Sequence, residues 1–275
     1  ALPPGLAGLV DEIAGAGHGV VMTVGKGGVG KTSVAAAIAV ALARRGGKVV
    51  LSTTDPAAHV AATLDGAVPG LSVTRIDPRQ EVADYTEEVL AKAGKSLDAG
   101  GLAMLEEDLR SPCTEEIAVF RAFARTVEEG KDGFVVLDTA PTGHTILLLD
   151  AAEAYHREVM RTQGDMPESV RQLLPRLRDP AFTHVLIVTL PEATPVHEAE
   201  RLQGDLARAG ITPYAWVINQ SLLASGTTDP LLCQRGSYEV PFIRRVADDL
   251  APRCALIPWL AEAPVGRTGL EQLVQ

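Results

Sequence analysis

Residues 25–32 read Gly-Lys-Gly-Gly-Val-Gly-Lys-Thr, which fits the G-x-x-x-x-G-K-[ST] pattern of phosphate-binding loops. An apolar run precedes the loop at 19–24 and an Ala-rich stretch follows it at 33–45, so we predict a strand before it and a helix after it. Glycines let backbone N–H groups converge on phosphate oxygens, and the helix N-terminus adds the positive end of its dipole. We therefore expect Lys31 to reach the β- and γ-phosphates of a nucleotide and Thr32 to ligate Mg²⁺. A chance glycine-rich turn is the alternative.

Further apolar runs of strand length alternate with helical stretches along the chain. Because these runs are continuously apolar, we predict strands that are covered on both faces. The alternation of strand and helix predicts an α/β fold with a mainly parallel sheet flanked by helices. Together with the phosphate loop at 25–32, it predicts a P-loop NTPase. The predicted strands span residues 19–24, 48–53, 71–76, 134–137, 184–188, 214–218 and 255–257.

Residues 80–130 break this alternation, because they show no strand pattern and carry leucines among many acidic residues. We predict a helical insertion here rather than a second domain with a sheet of its own. A length of 275 residues is compatible with one or two domains. Our interpretation is a single domain over residues 1–275 with a helical insertion at about 80–130.

The composition excludes several classes of protein. Hydrophobic residues make up 46% and charged residues 22% of the chain, which excludes wholesale disorder. The net charge of −10 argues against a nucleic-acid partner. No apolar run reaches the roughly 18 residues of a membrane-spanning helix, and no signal peptide opens the sequence. The three cysteines are too few for a disulfide scaffold, so we expect a cytoplasmic protein with reduced thiols.

Three charged residues extend the predicted phosphate site. Lys26 places a second positive charge inside the loop. Asp55 follows the second predicted strand and Asp138 follows the strand at 134–137, and open α/β sheets bind ligands at the carboxyl ends of their strands. We assign Asp55 to orienting the attacking water and Asp138 to holding Mg²⁺. A solvated lysine, and a helix N-cap role for either aspartate, are the alternatives.

Several segments resemble the ArsA and Get group of ATPases, the arsenite-pump and tail-anchored-protein-targeting ATPases with a deviant Walker-A loop. Residues 138–145, Asp-Thr-Ala-Pro-Thr-Gly-His-Thr, resemble the switch II signature of this group. Residues 110–120 are most similar to the C-terminal half of ArsA-type ATPases, and the resemblance extends over about 6–273. The initial Ala1 fits a C-terminal half cut from a fused chain, with a one-half homodimer as the alternative. Further similar segments are residues 54–59, 190–196 and 217–221.

This resemblance implies ATP and Mg²⁺ as cofactors and assigns roles at the nucleotide site. It implies that Lys26 acts in trans on the nucleotide of a facing half, like an arginine finger. It also implies that Asn219, just past a predicted strand, hydrogen-bonds adenine. A turn residue is the alternative for Asn219. The resemblance further implies that Pro258 flanks the base. The catalytic residues are then Lys26, Lys31 and Asp55. The nucleotide-binding residues are Gly25, Lys26, Gly27, Gly28, Val29, Gly30, Lys31, Thr32, Ser33, Asp138, Gly143, Asn219 and Pro258.

The resemblance also implies that Ser111, Cys113 and His144 bind As(III) or Sb(III) as an activating ligand. The Ser111-Pro112 pair is typical of a helix start, which places Cys113 in the first turn, where the helix dipole favours a thiolate. His144 lies one residue beyond Gly143, so a metalloid there would be coupled to the nucleotide state. An inert buried thiol and a structural histidine are the alternatives.

The implied function is ATP hydrolysis that drives arsenite or antimonite efflux. The implied partners are a second ATPase half, fused or homodimeric, a membrane arsenite pump subunit that holds the protein at the inner membrane, and a metalloid chaperone. The main alternative is a chaperone-type ATPase that targets tail-anchored membrane proteins. It is disfavoured because the chain has no Cys-x-x-Cys pair and only Met104 between residues 80 and 130. A relative of MinD would need a basic C-terminal helix, a relative of ParA a basic face, and a relative of nitrogenase reductase two well-placed cysteines. These three classes are therefore also disfavoured.

Overall fold

The computed structural model describes residues 2–53, 64, 66–93, 96–139 and 167–274. Among these residues, seven parallel strands form one sheet in the order β3-β2-β4-β1-β5-β6-β7. This arrangement confirms the predicted α/β fold with a parallel sheet. The strands are β1 (Gly19–Val24), β2 (Val49–Thr53), β3 (Leu71–Arg75), β4 (Phe134–Asp138), β5 (Thr183–Thr189), β6 (Ala215–Ser221) and β7 (Cys254–Pro258).

Helices cover both faces of the sheet, as continuously apolar strands require. Along β1, Val21 packs into the core on one face, while Val20 and Met22 pack into the core on the other. The described α-helices are α1 (Leu6–Gly15), α2 (Lys31–Arg44), α3 (Pro78–Ala93), α4 (Ala99–Asp108), α5 (Pro112–Glu128), α6 (Glu168–Arg171), α7 (Leu173–Arg178), α8 (Ala193–Arg208), α9 (Pro230–Ser237), α10 (Val240–Arg244) and α11 (Gly266–Gln272).

The edge strand β3 departs from the predicted pattern. Four of its five residues are exposed, whereas every residue of the central strands β1, β2, β4 and β5 is buried. Its sequence, Leu-Ser-Val-Thr-Arg, is not continuously apolar, whereas the other edge strand, β7, has three consecutive buried apolar residues. The prediction of a strand covered on both faces is therefore wrong for β3, whose polar residues favour exposure.

Helix α2 is the most buried helix next to the predicted phosphate loop. Its residues from Val34 to Ala43 are all buried, which a helix that is apolar on every side requires. It begins at Lys31, two residues earlier than the predicted start at Ser33, because Gly30 adopts the left-handed conformation at the N-cap. The two last residues of the loop motif therefore already belong to the helix.

The predicted helical insertion contains α3, α4 and α5. Helix α4 has no buried residue, and Met104 on it is 71% exposed. In contrast, Phe120 and Phe123 of α5 are each 1% exposed and belong to the main core. The second half of α5 is thus a layer of the sheet domain. Helix α3 packs against α5, to which the ion pairs Glu88–Arg121 and Glu81–Arg125 join it. Within the described part of the chain, no helix combines the length and apolarity that crossing a bilayer demands.

The strand register brings the predicted site residues to one edge of the sheet. Asp138, the last residue of β4, is the register partner of Thr23 in β1 and of Thr53 in β2. Because all strands are parallel, the segments that leave β1, β5 and β6 emerge at the same edge. The phosphate loop follows β1 at this edge.

Candidate functional site

The phosphate loop is held in shape by close contacts with two neighbouring strands. Gly25 and Gly30 have positive φ angles of 150° and 89°. A Cβ atom on Gly25 would overlap the carbonyl oxygen of Val188 at the end of β5, and one on Gly30 would overlap the side-chain nitrogen of Asn219 on β6. Glycine is therefore required at both positions for steric reasons as well as for backbone conformation. Val29 anchors the middle of the loop, because its side chain is 2% exposed in the core.

Two side chains at the start of α2 point to the interior of the site. The ammonium of Lys31 is buried and donates a hydrogen bond to the backbone oxygen of Lys26, over 2.9 Å. The hydroxyl of Thr32 donates to Oδ2 of Asp138 over 2.7 Å. Asp138 is 1% exposed and is the last residue of β4, whereas the sequence analysis placed it just after the strand. The structure thus brings together the two residues that we assigned to Mg²⁺.

Lys26 makes an ion pair within its own chain. Its ammonium lies 3.0 Å from Oε1 of Glu198 on α8, and the two side chains are 42% and 36% exposed. Sequence analysis did not single out Glu198, since 172 positions separate it from Lys26 and it belongs to no motif. The contact arises because α8 follows β5, the strand that pairs with β1, so the first turns of α8 flank the loop. Strand order is not encoded in a local pattern, so no sequence signal pointed to Glu198.

Asn219 does not lie just past a strand, as predicted, but within β6. Its side-chain N–H donates to the backbone oxygen of Val29 over 3.0 Å, and the residue is 4% exposed. The predicted contact with adenine therefore has to share this amide with the phosphate loop. The physical reason is the length of β6, which continues to Ser221 and keeps Asn219 under the loop.

A cavity of about 290 Å³ lies beside the end of β6. Gln220 and Trp259 line it, and Trp259 follows Pro258, the residue predicted to flank the base. Gln220 has a φ angle of +59°, a left-handed conformation that is uncommon for residues other than glycine. Sequence analysis gave neither Gln220 nor Trp259 a role, although Gln220 belongs to the similar segment 217–221. A left-handed glutamine at the next-to-last position of a strand has no sequence signature.

Glu239 stabilises one wall of this cavity through hydrogen bonds to its carboxylate. Its carboxylate accepts hydrogen bonds from the hydroxyl of Ser221, over 2.7 Å, and from the backbone N–H groups of Leu222 and Leu223, over 2.9 and 3.2 Å. Glu239 is 8% exposed. A buried carboxylate is stable only with such partners, so this interaction fixes the turn that follows β6.

The predicted metalloid residues are described only in part. Ser111 is the N-cap of α5 and Pro112 is its first residue, which confirms the predicted helix start. Cys113 is exposed in the first turn, so its thiol is accessible and not buried. His144 lies outside the described residues, as do Gly143 and Asp55. Within the described ranges, no three His, Cys, Asp or Glu side chains cluster as a metal site would require.

Comparison with known proteins agrees with this geometry. The profile of the family described as anion-transporting ATPase matches residues 18–164 and 149–275. The arsenical pump-driving ATPases of Acidiphilium multivorum and Escherichia coli are each 54% identical to the chain over 269 residues, 98% of its length. The ATPase GET3 of Chaetomium globosum is more distant, at 25% identity over 299 residues, which cover 90% of the chain and 86% of that protein.

The chain spans 46% of the length of each of these two arsenical pump-driving ATPases. It therefore corresponds to one half of such a protein. The family profile covers most of the chain, including the phosphate loop, Asp138 and the strand that carries Asn219. From the fold, the loop geometry and these similarities together, we conclude that the chain belongs to the ArsA-type family of anion-transporting ATPases.

Proposed function

We propose that the chain is one ATP-hydrolysing half of an ATPase that drives arsenite or antimonite efflux. The observation that carries this proposal is the 54% identity over 98% of the chain to arsenical pump-driving ATPases. The phosphate loop supports it, because the motif is complete and lies between β1 and α2. A second ATPase half, fused or supplied by another copy, is part of the proposal.

The residues at the loop fit a magnesium nucleotide. The Thr32 hydroxyl and the Asp138 carboxylate are oxygen donors, which Mg²⁺ prefers as ligands. The Asp138 carboxylate is also buried, so a bound cation would offset a charge that is costly to bury. When bound, Mg²⁺ would neutralise charge on the phosphate oxygens. Lys31 would exchange the backbone oxygen of Lys26 for a phosphate oxygen.

Three further residues complete the proposed machinery. Lys26 would cross to the nucleotide of the facing half, where its charge stabilises the phosphoryl group during transfer. Asp55 would orient the attacking water, and Gly143 would sense the γ-phosphate through its backbone. Asp55 and Gly143 rest on the sequence resemblance, since both lie outside the described residues. We also propose that residues 1–275 form a single domain, into which the second half of α5 is integrated through the main core.

Ser111, Cys113 and His144 are the proposed site for As(III) or Sb(III). The exposed thiol of Cys113 supports this role, because soft metalloids bind thiolates and need access to the sulfur. One thiolate does not satisfy such an ion, so the second half would supply further ligands. We propose that a membrane pump subunit holds the protein at the cytoplasmic side of the inner membrane and that a metalloid chaperone delivers the ligand.

Targeting of tail-anchored membrane proteins is the weaker alternative. The relative ATPase GET3 shares 25% identity with the chain, against 54% for the arsenical pump-driving ATPases. Along the described part of the α3–α5 segment, Met104 and Leu97 are the large apolar side chains with substantial exposure. A groove for a membrane helix needs a continuous apolar surface, which two such residues do not form.

The test is ATP hydrolysis by the protein with and without antimonite. We expect antimonite to raise the turnover of the unmodified protein and of Cys233→Ser. Cys233 is the matched control, because it is also an exposed thiol but lies on α9. We expect Cys113→Ser to lose the increase. Equal stimulation of Cys113→Ser and Cys233→Ser would contradict the assignment of the metalloid site, and no hydrolysis in any form would contradict the ATPase.

A further inference from the structure

Both lysines of the phosphate loop make contacts that involve Lys26. The ammonium of Lys31 donates to the backbone oxygen of Lys26, and the ammonium of Lys26 pairs with Glu198. The second contact links the loop to α8, an element that carries none of the predicted catalytic residues. Glu198 therefore pairs with the lysine that, under the proposed function, has to extend to the nucleotide of the facing half.

The Lys26–Glu198 ion pair is suited to being exchanged. Its side chains are 42% and 36% exposed, and ion pairs in such positions contribute little to stability. A nucleotide on a facing half offers several anionic oxygens in a site that excludes water, where charge-assisted hydrogen bonds are stronger. The Lys26 ammonium would therefore exchange the Glu198 carboxylate for a polyphosphate when one is within reach. It would remain paired with Glu198 when none is.

We propose that Glu198 is a positioning residue for Lys26. Its carboxylate holds the lysine within its own half until a facing nucleotide competes for the ammonium. The inference rests on the proposed function, because it assumes that Lys26 acts in trans. Glu198 contacts neither the nucleotide nor the attacking water in this scheme and acts only through Lys26.

Nucleotide binding to the same half would prepare the exchange. When Lys31 turns to the phosphates, it leaves the backbone oxygen of Lys26, so this position loses its hydrogen bond with Lys31. Among the contacts within the described ranges, the exposed ion pair with Glu198 still holds the Lys26 side chain. Nucleotide binding to one half thus weakens the restraint on its own Lys26, which acts on the nucleotide of the facing half. The contacts of Lys31 and Lys26 thereby couple the two nucleotide sites.

The first test measures the contact directly, without ATP hydrolysis. The 275-residue chain is treated with limiting acetylating reagent, and acetylation of Lys26 is quantified by mass spectrometry relative to the exposed Lys48. We expect Glu198→Gln to raise the Lys26 rate by about two- to fivefold, the effect of losing an exposed ion pair. Glu200→Gln is the matched control, since Glu200 lies on the same helix and pairs with Arg245 over 2.9 Å. Equal Lys26 rates in the unmodified chain and Glu198→Gln would overturn the inference.

The second test separates positioning from chemistry. In ATP hydrolysis, Glu198→Gln should lower KM for ATP by about two- to fivefold and leave kcat unchanged, because it releases Lys26 without altering the transition state. Glu200→Gln should change neither constant. A lower kcat with an unchanged KM would overturn the inference. An unmodified protein without ATP hydrolysis would instead contradict the proposed function, and the acetylation result would still decide whether Glu198 holds Lys26.

Discussion

Substitution of Gly30 by alanine tests whether the loop is shaped by its contact with β6. Gly30 has a φ angle of +89°, which costs about 1–2 kcal/mol for a residue with a Cβ atom. The new Cβ would also overlap the Asn219 nitrogen, which donates to the backbone oxygen of Val29. Losing a hydrogen bond of this kind costs about 1 kcal/mol. We therefore expect Gly30→Ala to lower the free energy of unfolding by about 2–3 kcal/mol in total.

Gly28→Ala provides the matched control. Gly28 has a similar φ angle of +85°, but among the described residues no atom beyond its chain neighbours lies within 4 Å of the place that a Cβ atom would take. Its substitution should cost only the backbone term of about 1–2 kcal/mol. The assay is urea unfolding followed by tryptophan fluorescence, because Trp216 is fully buried and reports on the core.

A double substitution isolates the steric contact. In Gly30→Ala/Asn219→Ala the Cβ no longer meets the amide, so its cost relative to Asn219→Ala should fall to that of Gly28→Ala. Equal destabilisation by Gly28→Ala and Gly30→Ala in the unmodified background would refute the reasoning. It would show that β6 does not constrain the phosphate loop through Asn219.

Two further predictions follow from buried titratable groups. Burial raises the pKa of the Cys254 thiol to about 12, so at pH 8 a maleimide should label the exposed Cys113 and leave Cys254 unmodified until the protein is unfolded; labelling of Cys254 in the folded protein would contradict this. Burial also lowers the pKa of His184 below 6.5, so the folded protein binds this proton less readily than the unfolded chain, and stability should fall as the pH drops below about 6.5. In urea unfolding at pH 7.5 and 5.5, His184→Gln should lose part of this pH dependence, while substitution of the exposed His197 should retain it.

The phosphate loop and the central strands were predictable because their signals are local. Eight consecutive residues contain the whole loop motif, and β1 begins and ends at the predicted residues. Gly25 and Gly30 adopt positive φ angles, and glycine tolerates this conformation because it has no Cβ atom. That tolerance is a property of the residue type itself. Burial on both faces of β1, β2, β4 and β5 likewise follows from their continuous apolarity.

The contacts that complete the site depend on distant parts of the chain. Thr32 and Asp138 are 106 positions apart, Val29 and Asn219 are 190 positions apart, and each pair meets only because parallel strands end at one edge of the sheet. The order of the strands sets these neighbours, and a strand's own sequence does not encode which strand lies beside it.

The sequence therefore determined the chemistry of the loop, the class of fold and the family, since each rests on short-range patterns or on similarity along the chain. The three-dimensional arrangement determined that Asn219 supports the loop from within β6 and that Glu198 faces Lys26. Such pairings depend on strand order and helix placement, and only packing of the whole sheet with its helices establishes them.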